Sequence, residues 1–149
     1  MSAGDLFFVD SNLLLYSVDP RDRHKRERAS DWLAHLWMDG SGRLSWQVLH
    51  EFYWNAVKKL RLKPAAGREI VEDLSRWQPV DTSLGLIKEA WCWMDDAQLP
   101  YWDALILAAA ERAGARYLLS EDFQAVRRFG ELRIVNPFEQ SASELETSG

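Results

Sequence analysis

Leu6-Phe7-Phe8-Val9-Asp10-Ser11-Asn12-Leu13-Leu14-Leu15-Tyr16 is the stretch whose reading decides the fold. Four apolar residues run into an acid, a serine and an amide, and a second apolar run of helical character follows. A short unbroken apolar run fits a strand buried on both faces, as in the middle of a parallel sheet. Asp10 then stands at the strand's carboxyl end, where open α/β sheets place their ligands. Ser11 or Asn12 can cap the next helix. Taken alone, Asp10-Ser11-Asn12 reads more readily as a turn and a cap than as a site.

Outward from this point, strands and helices alternate. Asp19-Pro20-Arg21-Asp22 is a turn, and His24 to Met38 repeats apolar residues at helical spacing behind a basic start. Asp39-Gly40-Ser41-Gly42 breaks that helix, and Arg43-Leu44-Ser45 reads as a short strand. Ser45 caps a helix over Trp46 to Leu60, and Pro64 opens another to Arg76. Gln78 to Asp81 is a brief strand, after which Thr82 or Ser83 starts a helix containing Ile87, Ala90, Trp91 and Met94. Trp102 to Ala110 is apolar almost all round, so its helix is expected deep in the protein. Arg116 to Leu119 and Arg133 to Val135 complete the strands, and the polar segment from Gln140 is expected to fray. The alternation implies a parallel sheet wrapped by helices. One domain is expected over 1–149, with its core at about 6–138 and a polar tail at 139–149.

Composition narrows the function classes. A chain of 149 residues with 47% hydrophobic and 28% charged side chains can bury a real core as a globular domain. A net charge of -5 argues against indiscriminate nucleic-acid binding, yet permits a local basic surface around an acidic pocket. The single cysteine, Cys92, cannot make an internal disulfide and fits a reducing, cytoplasmic setting; it reads as a small buried hydrophobe. No secretory leader and no membrane-length apolar stretch is visible, so no membrane partner is expected. Eight tryptophans leave aromatic surface to spare for a partner.

Four acids carry the chemistry. Asp10 and Asp122 both follow apolar strands, and neighbouring strands would turn both carboxylates into one crevice. Asp103 lies in the first turn of the most apolar helix, where complementing the helix dipole is a sufficient reason for it. Glu51 sits among the apolar residues Val48 and Phe52, and an inward acid needs a positive partner, of which a metal is one candidate. Carboxylates without a histidine or cysteine cluster select hard cations, Mg²⁺ or Mn²⁺, and such pockets serve phosphodiester hydrolysis. His24, His35 and His50 are too scattered for zinc, and neither a nucleophile elbow nor a Gly-rich phosphate loop is present.

Val9 to Tyr16, Ser45 to Phe52, Trp102 to Ile106 with Ala108-Ala109-Ala110, and Leu118 to Phe123 together resemble a PIN domain. Their order and the closing Ile134-Val135-Asn136-Pro137-Phe138 look most like the VapC toxins of type II toxin–antitoxin pairs. The resemblance runs from about Phe7 to Phe138. It implies a Rossmann-like sheet with strand order 3-2-1-4-5, helices on both faces, and a metal-dependent endoribonuclease. Asp10, Glu51, Asp103 and Asp122 match the family's acidic quartet, as metal ligands and catalytic residues. Asn12 and Ser120 match its supporting polar positions, and Glu121 is a secondary contributor. A cognate antitoxin and a homodimer are implied as partners, alongside the RNA substrate. Arg21, Arg23, Lys25, Lys58 and Lys59 are the residues expected to meet RNA phosphates. Trp32, Trp37, Trp54 and Trp91 are candidates for a groove or dimer surface, with core packing at least as good a reading. A catalytically silent protein-binding module and a nuclease acting on DNA stand as alternatives.

Overall fold

β1 (Phe7–Val9) is flanked on both sides by parallel strands. The computed structural model describes residues 4–123 and 128–148. In it β2 (Gly42–Arg43) and β3 (Tyr117–Leu119) pair with β1, β5 (Leu132–Val135) continues parallel to β3, and β4 (Arg128–Phe129) closes the edge antiparallel to β5. The order is therefore β2-β1-β3-β5-β4. Beyond β2, Ser45 makes one parallel bridge to Val80. Val80 N–H donates to the Leu44 carbonyl and Trp46 N–H to the Val80 carbonyl, on the side opposite β1. Counting that bridge as a strand, the parallel members run 3-2-1-4-5, as expected. β4 is an addition, turned by Gly130 in the left-handed region at φ 59°.

The helices are α1 (Ser11–Ser17), α2 (Arg23–Asp39), α3 (Trp46–Lys58), α4 (Pro64–Leu74), α5 (Leu84–Ala97), α6 (Tyr101–Arg112) and α7 (Ala142–Ser148). Caps fix most of the boundaries. Asp22, Ser45 and Ser83 each accept a first-turn N–H, from Lys25, Val48 and Leu86. Pro64 supplies the first residue of α4, which runs on into a 3-10 turn, Ser75–Trp77. α1 differs from expectation: its cap is Asp10 itself, which accepts the Ser11 N–H, rather than Ser11 or Asn12. The extended backbone that ends β1, φ -80° and ψ 159°, is already the conformation a cap requires.

All three residues of β1 and of β3 are buried, so both faces of the sheet centre are covered. Ala104 to Ala110 of α6 are buried without interruption, as their composition demands. Trp32 is core rather than surface: it is 1% exposed, packs its ring 5.8 Å from Phe7, and donates Nε1–H to the carbonyls of Pro137 and Gln140. Those bonds tie down the chain's end. The segment expected to fray carries α7 instead, capped by Ser141 accepting from Glu144 N–H, with Leu145 buried. Cys92 is exposed rather than buried, because it is rotated off the line of Leu86 and Ala90 on α5. Among the described residues no helix is long and apolar enough to cross a membrane.

Candidate active site

The parallel register sets the site. Val9 is level with Leu119, so the residues that leave the two strands, Asp10 and Ser120, emerge side by side. Both are buried, at 6% and 1% exposure. Asp10 N–H donates to the Leu119 carbonyl at 3.2 Å, which holds the strand end in line. Its Oδ1 accepts from Ser11 N–H at 2.7 Å and its Oδ2 from the Ser120 hydroxyl at 2.8 Å. Ser120 Oγ also accepts the Asp122 N–H at 3.2 Å, so one hydroxyl fixes the first acid and the turn that presents the last.

The first turn of α1 reaches the other acids. Ser11 Oγ donates to Glu51 Oε2 at 2.9 Å, and Asn12 Nδ2 donates to Asp122 Oδ2 at 3.1 Å. Glu51 is further held by Gln47, one turn earlier on α3, whose Nε2 donates to Oε1 at 3.0 Å. Glu51, Asp10 and Asp122 are thus strung on one chain of hydrogen bonds through Ser11, Ser120 and Asn12. Ser11 and Gln47 both hold Glu51, a contact the sequence reading did not assign to either. For Gln47 the signal was available: an amide four residues before an inward acid shares its face.

Electrostatics bring in the fourth acid. Burial raises the Asp103 carboxyl above its ordinary value, and the charges of Asp122 and Glu51 raise it further. Asp10 is pushed up from 3.8 to about 7, first by burial, against the lowering hydrogen bonds of Ser120 and Ser11, and then by the charges of Asp122 and Glu51. Asp10 and Asp103 therefore both feel the charges of Asp122 and Glu51, which places the four acids about a common space.

The expected supporting and basic residues divide. Glu121 turns to Lys25, whose Nζ lies 3.0 Å from Oε2 and 4.5 Å from the centroid of the Tyr16 ring. Arg21 grips Asp19 through both Nε and Nη2 at 2.9 Å, and Arg23 pairs with Glu27. Lys58 rests over the Trp54 ring at 5.2 Å. Arg21 and Lys59 line a hollow of about 280 Å³ that reaches Asn12 and Glu121; Arg23 and Lys58 do not line it. His50 is exposed on α3.

Every side chain offered by the acids and Asn12 toward an ion is an oxygen donor, the chemistry of hard divalent cations. Asn12 Oδ1 is buried with no hydrogen-bond partner, which leaves one more oxygen for such an ion. Among the described residues no three acids, histidines or cysteines converge tightly enough to cage an ion as they stand. The donor set fits a hard cation, and hydroxyls and amides are bonded to three of its acids.

A PIN domain family model matches residues 7–132. No curated protein matches the sequence. Among solved structures, Mycobacterium tuberculosis VapC20, described as a Sarcin-Ricin loop cleaving toxin, superposes with a TM-score of 0.63 at 19% identity. The match covers 85% of this chain and 98% of that one. A toxin–antitoxin complex from Klebsiella pneumoniae gives 0.63 at 17% identity, over 89% and 98% of the two chains. The DNA-bound VapBC of Salmonella typhimurium gives 0.59 at 20% identity over the same shares. At these identities the likeness is one of fold.

Proposed function

Since the chain belongs to the PIN domain family, we propose that it is a divalent-metal-dependent endoribonuclease, the toxin of a VapBC-type pair. The observation that carries the reading is the hydrogen-bonded string Glu51–Ser11–Asp10–Ser120–Asp122, closed by Asn12, with a buried acid at its centre. A surface cluster of carboxylates would not keep Asp10 dry at the cost of raising its carboxyl to about 7.

In this reading Asp10, Glu51, Asp103 and Asp122 hold Mg²⁺ or Mn²⁺. The bound ion supplies positive charge to the phosphodiester and a water of lowered pKa. Ser120 and Ser11 each donate to one Asp10 oxygen and so fix the orientation of the carboxylate that would hold the ion. Asn12 orients Asp122 with its amide N–H and turns its spare carbonyl oxygen inward. Gln47 fixes the rotamer of Glu51. Asp10, whose burial opposes its ionisation, would hold the ion as a carboxylate, so binding would favour loss of its proton. Arg21 and Lys59 lie where a phosphate next to the acids could be met, with Arg23, Lys25 and Lys58 as more distant basic contacts. The partners are RNA, a second copy of the chain, and an antitoxin whose Arg or Lys can replace the ion's charge among the acids. The VapBC assemblies among the similar structures support the antitoxin. The working compartment is the cytoplasm.

The test is cleavage of a panel of structured RNAs and single-stranded DNA with Mg²⁺, Mn²⁺ or EDTA, beside Asp10→Asn and Asp103→Asn. RNA cleavage that needs both metal and acids is the expected result. Cleavage of DNA alone would change the substrate, and the absence of both cleavage and Mn²⁺ binding would leave a protein-binding module.

A further inference from the structure

Two of the hollows along α3 reach residues of the site. The helix's C-terminal half lends Asn55, and its cap Lys59, to the small one, which Asp19 and Glu121 line as well as Arg21. Its N-terminal half walls a larger open cavity of about 1050 Å³. Trp46, His50 and Glu51 line one side of that cavity, and Tyr101 and Trp102 of α6 another. Glu51 belongs to both the acid cluster and this wall, so the cavity adjoins the acids.

Trp102 is the informative residue. It is 63% exposed, it directly precedes Asp103 on the same helical turn, and its ring centroid lies 5.3 Å from that of Tyr101. A large aromatic kept in water beside an acid of the site contributes little to the core. Its environment selects among ligands. Glu51 and Asp81 put carboxylates on the wall, which repel a phosphate, while the rings offer π-faces and Gln47, His50 and Thr82 offer edge hydrogen bonds. A flat, uncharged group with polar edges meets all three conditions. A nucleobase is such a group, and base-on-aromatic stacking is how single strands are commonly held.

We propose that this cavity is a nucleobase subsite in which an unpaired base beside the scissile phosphate stacks on Trp102. The proposal rests on the nuclease reading and adds to it a residue that selects for an unpaired base. Paired bases in a continuous duplex are stacked on each other and cannot enter.

The test is fluorescence anisotropy with labelled single-stranded oligoadenylate, an abasic ribose-phosphate strand of equal length, and a blocked RNA duplex. It is run with Mg²⁺ in the non-cleaving Asp10→Asn background, with metal-dependent cleavage by the wild type scored separately. Trp102→Ala should weaken oligoadenylate by at least about fivefold and leave the abasic strand and the duplex unchanged. Trp102→Phe should keep most of the affinity, which loss of a merely structural side chain would not predict. Unchanged oligoadenylate binding in Trp102→Ala overturns the subsite, whether or not the variant alters self-association. An equal loss on all three probes also overturns it. Wild-type cleavage without a Trp102 effect refutes the subsite and leaves the nuclease; a base-selective Trp102 effect with neither cleavage nor Mn²⁺ binding keeps the base-binding cavity and refutes the nuclease.

Discussion

Replacing Asp10 by Asn should make the metal-free protein more stable at pH 8 and slightly less stable at pH 4. Each pH unit by which the fold raises a carboxyl above its ordinary value costs the ionised folded state about 1.4 kcal/mol. For Asp10 the rise from 3.8 to about 7 corresponds to about 4 kcal/mol. The sign follows from proton binding. The folded protein holds this proton more tightly than the unfolded chain, so the stability is whole below pH 3.8 and is lost as pH climbs through 7. Asn carries no charge and escapes that loss. It offers one oxygen where Ser120 and Ser11 each donate to a separate one, so it forfeits about 1–1.5 kcal/mol of hydrogen bonding. The net gain at pH 8 is roughly 2–3 kcal/mol, or about 5–10 °C in Tm for a chain of this size. Calorimetry in EDTA at both pH values measures it. An Asn variant less stable than the wild type at pH 8, or a difference independent of pH, would refute the claim that Asp10 is held buried against its own ionisation.

Other expectations are quickly checked. Saturating Mn²⁺ at about 100-fold over Kd should stabilise the wild type by about 2.7 kcal/mol, with affinity rising between pH 6 and 7 as Asp10 gives up its proton; thermal shift with and without the Asp10→Asn change reads both. Ser120→Ala removes a hydrogen bond that lowers the Asp10 carboxyl, so the acid limb of metal-dependent cleavage should move to higher pH in a rate profile. Gly42→Ala places a Cβ 2.5 Å from the Trp77 ring and should cost about 1–3 kcal/mol in urea unfolding. Leu145→Ala should cost about 2–4 kcal/mol, since Leu145 is 1% exposed; no loss would mean that α7 packs only weakly.

The central strands, the buried α6 and most caps were legible because each follows from local chemistry. Phe7 to Val9 and Tyr117 to Leu119 are unbroken apolar runs, and Ser45, Ser83 and Pro64 stand where helices must begin. Properties set by distant partners were hidden. Trp32 is core because the carbonyls of Pro137 and Gln140 meet its ring nitrogen from 105 and 108 residues away. α7 is polar in composition, and one buried leucine was too small a signal beside it. Cys92 turned outward because a helix rotates 100° per residue and two apolar neighbours do not fix the face of a third. At the site, the acids could be placed at strand ends and on helices. The role of Ser11 could not, because it depends on where α3 crosses α1.

The register of β1 against β3 also has a consequence in time. Asp10 leaves the ribosome 110 positions ahead of its neighbour Ser120. Until Tyr117 to Leu119 have been translated, β1 has an unpaired side and the acid cluster cannot form. Partial products broken off during synthesis therefore lack the site altogether, rather than carrying a weak version of it. For a chain proposed to cut RNA, assembled on a machine built largely of RNA, the order of translation itself withholds the blade until Ser120 and Asp122 have followed Asp10 out.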